Sequence, residues 1–198
     1  MREYPMKKIL LVACVVVMAF ALVGSASAQG KISLNIGADV LLPMGTYGDA
    51  VNIGFGGTAQ GEYAVMPQMN ITLTSGYLTW SLKNVPAGAT GGSVHGIPVL
   101  AGVKYYFMPK GTGVQVYGAA QLGFFIASVA LPSVVIGGVT YGGGSASETD
   151  FAFAPIVGVE IPAGATGAVD ISVRYFDVAT TGSSSGSVGA RVGYKFGI

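Results

Sequence analysis

The chain has 198 residues and a formal net charge of +1, and only 10% of its residues are charged. Soluble globular chains carry about 25% charged residues, so this composition, with a mean hydropathy of +0.61, argues against a soluble domain. The sequence contains no basic stripe, so we expect no nucleic-acid partner.

The first residues have the pattern of a secretory signal peptide. Basic residues precede an apolar run of about fifteen residues, which is short for a membrane-anchor helix, since such a helix needs about 20. Small residues at Ala26 and Ala28 follow the run and form a cleavage pattern before Gln29. We therefore predict a signal peptide over 1–28 and one folded domain over 29–198.

The remainder of the chain alternates apolar and polar residues in runs that are separated by Gly, Pro, Ser and Asn, which predicts β-strands. Eight strands are predicted, over 32–42, 52–65, 69–82, 95–108, 114–127, 149–161, 168–177 and 187–198. High mean hydropathy without long apolar runs is typical of strands that expose only alternate residues to lipid. The fold class predicted is all-β, a closed antiparallel transmembrane β-barrel of about eight strands.

Eight charged residues of the predicted strands lie on the face opposite the apolar one. They are Asp39, Glu62, Lys104, Glu160, Asp170, Arg174, Arg191 and Lys195. A Lys or Arg that faces lipid at mid-depth costs about 2–4 kcal/mol, so the apolar face is predicted to contact lipid. An eight-stranded barrel is just wide enough to be filled by side chains, so these four acids and four bases predict a paired network inside it. A soluble lipocalin-like barrel is disfavoured because its outer face would carry too few charges.

The predicted connections alternate in length. The short ones cover 66–68, 109–113 and 162–167. The longer ones, rich in Gly and Ser, cover 43–51, 83–94, 128–148 and 178–186. Short periplasmic turns and long extracellular loops are typical of outer-membrane barrels, and this pattern predicts that both termini are periplasmic.

The connection over 128–148 contains a predicted hairpin with a two-residue turn. Its residues are Val134, Ile136, Gly137, Gly138, Val139 and Tyr141. If the hairpin continues two strands above the membrane, it presents an apolar β-edge that can bind a strand of an extracellular protein partner. The alternatives are a hairpin covered by neighbouring loops, or two further membrane strands that bring the total to ten.

The last residues carry the most specific pattern in the chain, Arg191-Val192-Gly193-Tyr194-Lys195-Phe196-Gly197-Ile198. This pattern looks like the assembly signal of outer-membrane barrels, and the segments 102–107 and 170–176 are similar to strands of such proteins. The mature chain thus resembles the small outer-membrane β-barrel family of the OmpA/OmpX type. The resemblance implies the outer membrane of a diderm (Gram-negative) bacterium, with outer-membrane lipid around the barrel. It also implies that the insertion machinery reads the last strand through Arg191, Gly193, Phe196 and Ile198; the family more often has Phe at the final position.

The sequence offers little for catalysis. His95 is the only histidine and lies in a Gly- and Ser-rich connection without an acidic neighbour, and Cys14, the only cysteine, lies in the predicted signal peptide. We therefore predict no catalytic residues, no cofactor and no metal site, and a protein that is not an enzyme. The predicted function is a structural or surface-interaction role for a barrel with a filled interior. The alternatives are a narrow porin-like channel for ions or small apolar molecules, and a lipid-modifying enzyme that uses His95.

Overall fold

The computed structural model describes residues 32–83, 85, 89–90, 92–109, 113–136, 139–164, 167–180 and 183–197. The predicted signal peptide lies outside the described residues, together with its cleavage residues Ala26, Ala28 and Gln29. Gly137 and Gly138 of the predicted hairpin and the terminal Ile198 also lie outside them. In the part of the chain that is described, no helix is long and apolar enough to cross a membrane.

The described residues form eleven strands and one short helix. They are β1 (Ile32–Pro43), α1 (Gly45–Ala50), β2 (Gly54–Met66), β3 (Met69–Ser81), β4 (Ala89–Thr90), β5 (Ser93–Tyr106), β6 (Gln115–Ala130), β7 (Ser133–Ile136), β8 (Val139–Gly142), β9 (Ser145–Ala163), β10 (Gly167–Thr180) and β11 (Ser183–Gly197). Eight strands close an antiparallel barrel in the order β1-β11-β10-β9-β6-β5-β3-β2, in which β1 pairs with both β2 and β11. This confirms the predicted all-β closed barrel.

The remaining three strands form a separate sheet in the order β4-β7-β8. We call this sheet the hairpin sheet. Because β7 and β8 do not join the barrel wall, the alternative of ten membrane strands is wrong. The hairpin sheet and α1 lie at the end of the barrel where the longer connections are found, which we call the long-loop end. The opposite end, with the connections after β2, β5 and β9, is the short-turn end.

The pleat of the strands separates two kinds of side chain. In β1, Asn35, Asp39 and Leu41 are buried in the interior, whereas Ile36 and Val40 are exposed on the outside. The same alternation in the other strands produces an outer face of exposed aliphatic and aromatic residues. An apolar surface of this extent cannot remain in water and requires lipid around it.

Exposed aromatic residues lie near both ends of this outer face. Tyr63, Tyr105, Phe107 and Phe196 lie towards the short-turn end, and Tyr77, Phe124, Phe151 and Tyr175 lie towards the long-loop end. Aromatic residues at these two levels form the girdles of membrane barrels, where amphipathic rings meet the lipid headgroups.

Several strands are longer than predicted. The predicted long connection over 178–186 is wrong, because β10 and β11 remain paired as far as Thr180 and Ser183. Likewise, β6 and β9 pair as far as Ala130 and Ser145, which shortens the connection over 128–148. In these segments the backbone hydrogen bonds of an antiparallel hairpin outweigh the low strand preference of Gly and Ser, since strand preference depends strongly on context.

The interior contains two layers of different chemistry. The half nearer the short-turn end is polar and holds Asp39, Glu62, Lys104, Glu160, Asp170, Arg174, Arg191 and Lys195. The half nearer the long-loop end holds an apolar cluster that includes Leu41, Leu78, Trp80, Leu100, Phe125 and Phe176. The inward face is therefore not polar along its whole length, as the alternation alone had indicated.

Candidate functional site

Lys104 of β5 lies at the centre of the polar half of the interior. Its Nζ atom is 2.6 Å from Glu62 Oε1, 2.8 Å from Glu160 Oε1 and 3.4 Å from Asp170 Oδ2. The three carboxylates come from β2, β9 and β10, so one ammonium group joins opposite walls of the barrel. The Lys104 side chain is only 1% exposed, so its charge depends on these partners for stabilisation.

A second ammonium group completes this cluster. Lys195 Nζ lies 3.2 Å from Glu62 Oε2 and 3.0 Å from Glu160 Oε2. Lys195 also donates a hydrogen bond of 2.8 Å to Tyr106 Oη, and Tyr106 Oη in turn donates to Glu160 Oε1 at 2.9 Å. Tyr106 therefore links the two sides of the cluster, although it is not among the predicted interior residues. Its position two residues after Lys104, on the same face of β5, was the signal that could have identified it.

The other charged residues lie higher in the barrel. Arg174 Nη2 lies 2.9 Å from Asp39 Oδ1, and Thr58 donates a hydrogen bond of 2.7 Å to Asp39 Oδ2. Arg191 Nε donates to Thr58 Oγ1 at 2.8 Å, and Arg191 Nη1 lies 3.7 Å from Asp170 Oδ1. Arg191 thereby connects the upper group to the cluster around Lys104.

The structure thus joins all eight charged residues that the sequence placed on the inward face. We call these eight residues the interior ion network. Its four acids and four bases balance, as a buried set of charges requires. Tyr117 adds a further contact, because its hydroxyl lies 3.0 Å from both oxygens of Asp170 and its ring centre lies 4.2 Å from Lys104 Nζ.

Little free space remains around the interior ion network. A Cβ atom at Gly158 would lie 2.5 Å from Tyr117 Oη, so this glycine provides the space that the Tyr117 ring occupies. The void between Lys104, Tyr117, Arg174 and Arg191 measures about 10 Å³, which is close to the smallest cavity that holds one water molecule.

The apolar half of the interior opens into a cavity of about 410 Å³ at the long-loop end, which we call the mouth cavity. The residues that define it are Tyr47, Trp80, Phe125, Phe176, Glu148 and Asp150. Ring centres are 6.1 Å apart for Tyr47 and Trp80, 6.1 Å for Trp80 and Phe125, and 5.5 Å for Phe125 and Phe176, all in edge-to-face contact. Burial raises the pKa of the Tyr47 phenol above its ordinary value, so its hydroxyl stays protonated. The alternation of apolar and polar residues gives no sign of this cavity.

The hairpin sheet is a continuation of β6 and β9. The Leu131 and Gly143 N–H groups donate to the carbonyl oxygens of Gly144 and Pro132, which joins the hairpin to the barrel wall below it. In the sheet, Val134 pairs with Tyr141 of β8 on one side and with Ala89 of β4 on the other. Ile136 pairs with Val139, and Tyr141 is exposed. Within the described residues, the outer edge of β8 pairs with no strand.

His95 lies on the outward face of β5 and not in a loop. Its ring stacks on Tyr77, with 5.7 Å between the ring centres. Among the described residues, no group of three or more His, Cys, Asp or Glu is arranged to hold a metal ion.

The last strand carries the residues that resemble the assembly signal. β11 closes the barrel by pairing with β1, with Gly193 opposite Gly37 and Phe196 opposite Leu34. Arg191 and Gly193 face the interior, and Phe196 is exposed on the outside.

This architecture is similar to solved outer-membrane proteins. Neisserial surface protein A superposes with a TM-score of 0.62 at 17% identity, over 87% of this chain and 99% of that one. Ail, the attachment invasion locus protein of Yersinia pestis, superposes with a TM-score of 0.53 at 16% identity, over 85% of this chain and 100% of that one. OprG of Pseudomonas aeruginosa superposes with a TM-score of 0.54 at 12% identity, over 84% of this chain and 95% of that one. At these identities the likeness concerns the fold alone.

No curated protein sequence matches the chain. The family model described as "Outer membrane protein beta-barrel domain" matches residues 9–196. That match covers every barrel strand from β1 to β10 and nearly all of β11, and it agrees with the apolar outer face and the closed eight-stranded wall. The chain therefore belongs to the outer membrane protein β-barrel domain family and is an outer-membrane β-barrel protein of a Gram-negative bacterium.

Proposed function

We propose that this protein is a closed, non-conducting barrel that holds the hairpin sheet above the outer membrane, where the sheet binds an extracellular protein by strand addition. The proposal rests on two observations together: a lumen filled by side chains, and a β8 edge that pairs with β7 alone among the described residues. A barrel whose interior is occupied by side chains is suited to be a rigid support, and its function then lies in what it displays.

The interior ion network supports the first half of the proposal. Lys104, Tyr106 and Tyr117 cross the lumen, and the void beside them holds no more than about one water molecule. An ion passing this level would have to displace buried, paired charges. The narrow-channel alternative would require these side chains to move apart, and no described contact favours it.

The edge of β8 supports the second half. β7 is paired on both sides, with β4 and with β8, whereas β8 pairs only with β7 in the described residues. An exposed strand edge presents unpaired N–H and C=O groups that can hydrogen-bond a strand of another protein. At the level of fold, the names of Neisserial surface protein A and of the attachment invasion locus protein also point to roles at the cell surface.

The proposed orientation puts the long-loop end outside the cell and both termini in the periplasm. In this orientation the hairpin sheet faces the exterior, and β11 is available to the insertion machinery through Arg191, Gly193, Phe196 and Ile198. The signal peptide over 1–28 belongs to the same proposal. A lipid-modifying activity receives no support from His95, because that ring stacks on Tyr77 at the lipid-facing surface.

Planar-bilayer recording tests the closed lumen. The mature chain should give no steady single-channel steps, and the variant Tyr106→Ala/Tyr117→Ala, which removes two rings from the lumen, should give them. Steady steps from the unmodified protein would contradict the closed barrel.

Proline substitution tests the edge. In an antiparallel edge strand, the N–H groups of successive residues point alternately to the partner strand and away from it. One of Thr140→Pro and Tyr141→Pro therefore removes an outward N–H and leaves the hairpin pairing intact. That variant should lose binding of the nanodisc-reconstituted protein to host-cell surfaces while its heat-modifiable gel shift is unchanged. Equal binding by the unmodified protein and by both proline variants would contradict strand addition.

A further inference from the structure

The mouth cavity has walls and a rim of different chemistry. Its walls are the rings of Tyr47, Trp80, Phe125 and Phe176, and its volume of about 410 Å³ lies within the range of roughly 300–1,000 Å³ that is typical of small-molecule sites. Glu148 and Asp150, two residues apart on β9, face the same cavity nearer the long-loop end. None of its described lining residues is a Lys, Arg or His, so the lining has a surplus of negative charge.

The carboxylates of the rim differ from those of the interior ion network. Each acid of that network has a cation within hydrogen-bonding or ion-pair distance, whereas Glu148 and Asp150 have no ion pair with any residue that the structure describes. Glu148 is exposed and Asp150 is half-buried, so both carboxylates remain accessible to a ligand that enters from the long-loop end.

The floor of the mouth cavity separates it from the charges below. Phe176 lies over Arg174, with 5.7 Å between the guanidinium carbon and the ring centre, and Arg174 is itself paired with Asp39. The positive charge nearest the cavity is therefore shielded by a ring and neutralised by a carboxylate. Tyr47, Trp80 and Phe125 also line the cavity, next to Phe176.

We propose that the mouth cavity binds a small organic cation with an alkylammonium head. Aromatic faces attract such cations through their quadrupoles, and this attraction increases when the site excludes water. The two rim carboxylates supply the matching charge, and they disfavour an anionic ligand. The proposal concerns a different surface from the β8 edge, so neither depends on the other.

Trp80 is the only tryptophan in the chain and lies in the cavity wall, so its fluorescence reports on this site directly. The probe is choline chloride, titrated at constant ionic strength into the full mature protein folded in a maltoside micelle, which contains no ammonium group. The comparison probe is 3,3-dimethylbutan-1-ol, the uncharged isostere of choline. We expect a saturable change in Trp80 emission with choline, and at least roughly tenfold weaker binding of the alcohol.

Two variants complete the test. Glu148→Gln/Asp150→Asn should weaken choline binding by roughly fivefold or more, because it removes the rim charge and leaves the rings in place. The control Asp49→Asn removes an acid at the same end that does not line the cavity, and it should bind choline as the unmodified protein does. The gel shift of each folded variant verifies that its barrel is intact.

Three results would overturn the proposal. The first is no saturable response of Trp80 to choline in the folded protein. The second is equal affinity for choline and for the alcohol, which would indicate a site for apolar molecules. The third is choline binding that is unchanged in Glu148→Gln/Asp150→Asn, which would place the interaction elsewhere.

Discussion

The Asp39 carboxylate of β1 lies 2.9 Å from the Arg174 guanidinium of β10, although β11 separates these two strands in the barrel wall. The contact therefore passes through the lumen and connects strands that share no backbone hydrogen bonds. Both side chains are almost completely buried, so each charge depends on the other and on the few polar groups around them.

Asp39→Asn should destabilise the barrel by about 3–5 kcal/mol, because it leaves the buried Arg174 charge uncompensated. Arg174→Met should destabilise the barrel by a similar amount, because it leaves the buried Asp39 charge uncompensated. The double variant should lose clearly less free energy of unfolding than the two single variants lose together. Urea unfolding of the lipid-refolded proteins measures all three losses. Additive losses would show that the two residues do not stabilise each other.

Lys104→Met should destabilise the barrel by at least about 3 kcal/mol, since Glu62, Glu160 and Asp170 would then share only Lys195 and Arg191 as cationic partners. The measurement is the temperature or denaturant concentration at which the gel shift of the folded form disappears. Lys83→Met is the control, because Lys83 is exposed and its loss should cost no more than about 0.5 kcal/mol. Equal stability of the two variants would contradict the central role of Lys104.

Gly158→Ala should cost about 1–3 kcal/mol, because the new methyl group would overlap the Tyr117 ring, which is hydrogen-bonded to Asp170. Gly61→Ala is the matched control. Its Cβ would meet nothing nearer than Leu73 O at 4.0 Å, so its stability should be unchanged or higher by up to about 1 kcal/mol. Unfolding curves of the two variants in the same detergent test the prediction. Equal stability of Gly158→Ala and Gly61→Ala would contradict it.

Val173→Arg should cost about 2–4 kcal/mol, because Val173 is exposed on the outer face at mid-strand, where an arginine would meet lipid. Leu131→Arg replaces an equally exposed residue next to the hairpin sheet and should cost no more than about 0.5 kcal/mol. Refolding into lipid vesicles followed by chemical unfolding measures both changes. A small loss for Val173→Arg would place that face in water.

The alternation of the sequence was sufficient to predict the wall of the barrel and the direction of its charges. Asp39 and Lys104 could be assigned to the inward face because each lies one residue out of phase with a clear apolar series. Which residues then pair across the lumen could not be predicted, since that depends on strand order and shear. The contact between Lys104 and Glu160 joins positions 56 residues apart.

The upper interior was missed for a physical reason. Trp80 and Phe176 occupy inward positions, but near the long-loop end both faces of the strands are apolar, so alternation no longer distinguishes inside from outside. The Gly and Ser content of 178–186 predicts a loop. The described residues on either side nevertheless continue the pairing of β10 with β11, because each residue that pairs there adds backbone hydrogen bonds, whatever its side chain.

The closure of β11 on β1 also has an electrostatic consequence for the order of assembly. The strands before β11 carry all four acids of the interior ion network but only two of its bases, Lys104 and Arg174, and β11 supplies Arg191 and Lys195. An unclosed sheet would therefore form a trough with two surplus negative charges and a lipid-incompatible floor. Docking of β11 neutralises this trough and closes the barrel wall. A chain in which β11 does not dock therefore has both uncompensated negative charge and an unpaired sheet edge. Each of these is unfavourable in a membrane.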